Sequence, residues 1–144
     1  MIRENTSKYA AKHPAGTVVD EAIATALQPE TVNKRLTCKA AHQVAERLGV
    51  PPAEVGRTAD LLEYRIVECQ MGLFGYFPDK TIVQPANEVS EDLRDRLLEL
   101  TVNGKIDCLS CWGIADLLGV SRVSVAAACE AIDIKIAHCQ LGAF

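Results

Sequence analysis

With 144 residues, 49% of them hydrophobic, the chain has enough apolar surface for a core, although a unit of about 60 residues is marginal alone. No apolar run approaches the roughly 18 residues of a membrane span, and the opening MIRENTSKYAAKHPAGT lacks the apolar stretch of a secretory signal, so a cytoplasmic protein with no membrane partner is expected. The formal net charge of −4 is uneven: residues 1 to 74 hold nine Lys or Arg against nine Asp or Glu, residues 75 to 144 six against ten, which excludes the second half as a natural polyanion binder.

Residues 1 to 17 carry Arg3, Lys8 and Lys12 with little apolar periodicity and read as a mobile arm. A helix follows over Val18 to Leu27, where Thr17 and Asp20 have the spacing of a capping box, and Pro29 stops it. Lys34 to Cys38 reads as a short strand. Thr37 then caps a helix over Lys39 to Leu48, Gly49 closes it in the left-handed conformation, and Pro52 opens a third helix that should run to about Tyr64, with Glu54 near its positive end. Arg65 to Met71 is rich in strand formers and closes on Gly72-Leu73-Phe74-Gly75, a turn into a returning strand around Tyr76 to Val83. Gln84 to Glu88 reads as a linker, and Asn87 or Ser90 caps the helix to about Leu100.

From there the chain repeats itself. An ungapped offset of seventy aligns Val19 to Phe74 with Val89 to Phe144, and 17 of the 56 pairs are identical, so the repetition fixes the architecture. Thr31-Val32-Asn33 matches Thr101-Val102-Asn103, Cys38 matches Cys108, and Cys69-Gln70-x-Gly72-x-Phe74 matches Cys139-Gln140-x-Gly142-x-Phe144. Within each copy a small Ala (Ala45, Ala115) precedes a Gly (Gly49, Gly119) by four residues, and a Val (Val55, Val125) follows that Gly by six. This is helix-turn-helix spacing, with Val44, Leu48 and Val50, and their partners Ile114, Leu118 and Val120, forming the apolar seam. In the second copy Asp107 replaces Thr37 as the cap. The strand Lys135 to Leu141 there has no returning partner, so its edge needs cover from elsewhere.

Helix, short strand, helix, helix, strand, turn, strand is the element order of the winged-helix superfamily, which the chain resembles over nearly all of residues 18 to 144. The expected class is mainly α with small β wings, an α+β chain of two tandem winged-helix-like domains. Residues 18 to 83 make the first, 84 to 88 the linker, and 89 to 144 the second with a truncated wing. The resemblance implies DNA binding through the third helix and a role in transcription regulation, and many members of the superfamily serve instead as protein-interaction modules.

In the first copy the DNA-contact candidates are Lys39, Arg57, Arg65 and Lys80, while Asp60 points the wrong charge at phosphate. The second copy offers Ser121, Arg122, Val123, Ala126, Ala127 and Glu130 on its third helix, with one residue able to read a guanine edge. Trp112, Val123, Ala126 and Ala127 are therefore candidates for a protein partner or a homodimer, or for packing within the chain. The cysteines support a third reading as a metal or redox sensor. Cys108, Cys111, Cys129 and Cys139 are the set able to hold zinc or an iron-sulfur cluster, against the plainer role of buried free thiols. His13, His42 and His138 have no nucleophile or carboxylate partners in a catalytic order, so an enzyme is not expected.

Overall fold

The computed structural model describes residues 8 to 144. It is an α+β chain whose helices are α1 (Glu21–Leu27), α2 (Cys38–Leu48), α3 (Pro52–Leu61), α4 (Glu91–Leu100), α5 (Cys108–Leu118) and α6 (Arg122–Ala131). The strands are β1 (Arg35–Thr37), β2 (Arg65–Val67), β3 (Lys105–Asp107) and β4 (Lys135–Ala137). Among the described residues no helix is long and apolar enough to cross a membrane alone.

The helix ends follow local chemistry. Side-chain oxygens of Asp20, Thr37, Ser90, Asp107 and Ser121 accept from the backbone N–H three residues on, satisfying donors that the helix itself cannot. Asp20 is thus the cap of α1 itself, so the helix begins at Glu21 and not at Val18. Gly49 and Gly119 close α2 and α5 with φ of 67° and 68°, as the helix-turn-helix spacing requires.

The strands depart from a wing. β1 pairs with β2 in parallel, Leu36 opposite Ile66, and β3 pairs with β4 in parallel, Ile106 opposite Ile136. Each strand has three residues, and the returning strand expected at Tyr76 to Val83 is reduced to a single bridge between Tyr76 and Lys80. The Cys-Gln-x-Gly-x-Phe motif explains the early end of β2 and β4. In the first copy Cys69 N–H donates to Phe74 C=O at 3.1 Å, in the second Cys139 N–H donates to Phe144 C=O at 3.1 Å, and Gly72 and Gly142 supply the positive φ, 80° and 81°, that this tight loop needs.

The chain divides into two compact units, and the boundary is not the expected linker. Unit 1 runs to Val67 and includes Leu141–Ala143, whereas unit 2 comprises Glu68–Gln140 and Phe144. The physical reason in unit 2 is apolar burial: Met71 and Val83, which follow β2, are 0% and 8% exposed in a core with Leu93, Leu97, Ile114, Val125 and Ile136. The core of unit 1 holds Ile23, Leu27, Leu36, Val44, Val55 and Ala59.

The expected mobile arm is corrected in part. Residues 1 to 7 lie outside the described residues. Beyond them, the Glu63 carboxylate accepts from the N–H groups of Lys8, Tyr9 and Ala10 at 2.9 to 3.0 Å, a short 3-10 turn spans Ala10–Lys12, and His13 Nε2 reaches Asp60 Oδ2 at 2.8 Å. This segment is docked on unit 1.

Candidate nucleic-acid face and thiol sites

The parallel pairing of β1 and β2 sets Arg35 in register with Arg65, both exposed. Like charges on neighbouring strands repel, yet among the described residues neither guanidinium has a carboxylate partner within ion-pair distance. Lys39, on the first turn of α2, is also exposed. Glu63, two residues before Arg65, is engaged by the backbone N–H groups of residues 8 to 10. Arg35, Lys39 and Arg65 are thus three exposed cations of unit 1, the two arginines in register. Sequence reasoning singled out Lys39 and Arg65 but missed Arg35, because the register that sets it against Arg65 joins strands thirty residues apart.

Arg57 is half-exposed and leans on Glu54 at 3.6 Å, one turn earlier on α3. Lys80 is exposed but belongs to unit 2, so the structure does not bring it into one body with the other three. Asp60 is corrected outright. It is 6% exposed and paired with Lys12 Nζ at 3.2 Å and with His13, so it presents no free charge to a phosphate. The middle of α3 is likewise covered: a Cβ on Gly56 would stand 1.7 Å from the Leu141 carbonyl oxygen.

On α6 the docking surface gives way to the other expectation, packing within the chain. Ala126 is fully buried in the core of unit 2, and the Ala127 carbonyl accepts from Ala86 N–H at 3.0 Å. Val123 packs partly buried against the same core, its Cγ2 lying 3.4 Å from where a Cβ on Gly72 would sit. These small side chains serve the chain's own residues 71 to 86 and present no free face. Trp112 is half-buried, and the Arg122 guanidinium lies 3.5 Å over its ring while donating to Gln70 Oε1 at 2.7 Å. A cation held by a ring face and an amide is not available to a base edge.

All six cysteines are free thiols and five are buried. The four proposed as one metal set separate into two neighbourhoods, and among the described residues no group of three or more His, Cys, Asp or Glu is arranged to hold a metal. Cys111 and Cys129 meet between α5 and α6, the Cys111 thiol donating to the Cys129 sulfur. That bond holds Cys111 protonated far above the thiol range and lowers Cys129. Cys108 opens α5 and accepts from Gln140 Nε2 at 3.4 Å, near Cys69 and Cys139. Burial is the main cause that raises both Cys69 and Cys108, with the neighbouring thiols adding to it. Both therefore stay protonated in the folded chain above the ordinary pKa of about 8.5. The unfolded chain releases protons there and the folded chain does not, so stability should fall as pH rises above about 8.5. Urea unfolding at rising pH reads this, and Cys69→Ala with Cys108→Ala should reduce the dependence, leaving the part that Cys111 contributes.

Comparison with known proteins adds no name. No family model, curated protein or solved structure matches the chain.

Proposed function

We propose that the chain is a non-enzymatic, winged-helix-like DNA-binding module of the transcription-regulatory kind, with unit 1 on the nucleic acid. The observation that supports this best is the in-register pair Arg35 and Arg65, exposed and without carboxylate partners among the described residues, with Lys39 a third exposed cation of unit 1. Two guanidiniums held side by side repel each other in the free protein, and a phosphodiester between them removes that repulsion while accepting bidentate hydrogen bonds. In a helix-turn-helix protein the N-terminal residues of the second helix meet base edges. On α3 those residues are Ala53, Glu54 and Arg57, with no residue beyond Arg57 suited to a guanine. Contact with the backbone therefore dominates, and sequence preference is weak.

Three cations on phosphates give a salt slope of about −3 in log K against log salt. Titration of a labelled duplex at several salt concentrations measures it. Replacing Arg35, Lys39 and Arg65 with Gln should weaken binding at least about tenfold at low salt and bring the slope near zero. Unchanged affinity after that triple substitution would place the contact elsewhere, and absence of binding by the wild type at low salt would refute the reading.

A further inference from the structure

The internal repeat supplies a comparison at every surface position, and on one face the two copies have diverged in chemistry. In α5, Leu109 and Leu117 are 64% and 63% exposed, and Gly113 between them has open space around the position of a Cβ. The same positions of α2 are Lys39, Gln43 and Arg47, all exposed and polar. Both helices belong to the same place in the fold, so burial inside a unit does not demand leucine there. A separate exchange of the same kind occurs on α4, where Leu98 and Leu100, 55% and 47% exposed, stand at the positions of Gln28 and Glu30. Among the eleven residues of α5 the only charge is Asp116. On α5 the two leucines share one face with Gly113 between them, and an apolar row in water where the other copy is polar is what a surface covered by a partner looks like.

We infer that the Leu109–Gly113–Leu117 stripe of α5 is where a second copy of this chain docks. The spacing itself argues for self-pairing. The three residues lie on one i, i+4, i+8 ridge, with the glycine equidistant from the two leucines. Two such ridges related by a two-fold axis through Gly113 set Leu109 of each copy against Leu117 of the other. Ridges of this class interdigitate at a crossing angle of about −50°, and a glycine at the crossing brings the axes to the close end of the 8 to 10 Å range. An isologous contact needs a self-complementary patch, and this one is palindromic. The inference does not depend on DNA binding by unit 1.

Sedimentation of the full chain across a wide concentration range tests it. The wild type should form a species of twice 15.6 kDa. The variant Leu109→Lys, Gly113→Gln, Leu117→Arg, which installs the residues that α2 already carries at these positions, should sediment as a monomer with the same helical signal. Hydrogen exchange of the wild type gives a readout that needs no variant: amides of residues 109 to 117 should exchange more slowly as concentration rises. A wild type that stays monomeric at all concentrations, a triple variant that remains dimeric, or exchange in α5 that ignores concentration each overturns the proposal.

Discussion

Gly56→Ala should be among the most damaging single substitutions in the chain, although it adds one methyl group to a helix that alanine ordinarily favours. The new Cβ would stand 1.7 Å from the Leu141 carbonyl oxygen and 2.6 Å from its carbonyl carbon, so either α3 or the segment Leu141–Ala143 must move. Overpacking of this kind costs about 1 to 3 kcal/mol and more when the obstacle is backbone. Intrinsic helix propensity would by itself gain about 1 kcal/mol. The two contributions are separable because the obstacle is a short segment. In a chain lacking residues 141 to 144, itself less stable than the wild type, Gly56→Ala should be neutral or stabilising. The sign of the substitution should thus reverse between the two backgrounds. Urea unfolding of the four proteins completes the cycle, and a penalty that persists in the shortened chain would show that the cost arises elsewhere.

The second large effect is an asymmetry around Asp60. Its side chain is 9% exposed, whereas those of its partners Lys12 and His13 are 40% and 22% exposed. Removing the carboxylate leaves a lysine and an imidazole that water can reach, while removing both partners leaves a buried carboxylate alone. Stranding a buried charge costs about 3 to 5 kcal/mol, far more than an exposed pair contributes. Lys12→Ala with His13→Ala should therefore destabilise unit 1 by about 3 kcal/mol. Asp60→Asn should cost about 1 kcal/mol, since the amide can still hydrogen-bond. Equal losses from the two variants would mean that water reaches the carboxylate in the folded chain.

The sequence carried whatever depends on near neighbours. Thr37, Ser90 and Asp107 cap as their spacing foretold, and Gly49 and Gly119 end their helices in the left-handed region, because each signal and its effect lie within one turn. The features that were missed join distant positions. Asp60 read as an exposed acid because nothing in its helix reveals that Lys12 and His13, 48 and 47 residues earlier, fold over it. Ala126 reads equally as a docking surface or as packing within the chain, because small residues suit a close approach of any partner. The partner turned out to be the core of unit 2, to which Met71 and Val83 also belong. Four cysteines of the second copy read either as one metal set or as buried free thiols, but Cys108 sits where a strand ends and Cys111 one turn into α5, so the first meets Gln140 and the second meets Cys129. The stripe on α5 escaped notice because exposure, which makes a leucine informative, is not written in the sequence.

The composition of unit 1 bears on how the protein is made. Its residues up to Val67 leave the ribosome early, but Leu141–Ala143, which belongs to the same unit, emerges 74 residues later. Domains near an N-terminus commonly fold during synthesis. Here the surface of α3 around Gly56 stays bare until Leu141 has emerged, and contacts of such long sequence separation form slowly. Unit 1 is thus exposed to chaperones and to premature association through most of its own translation.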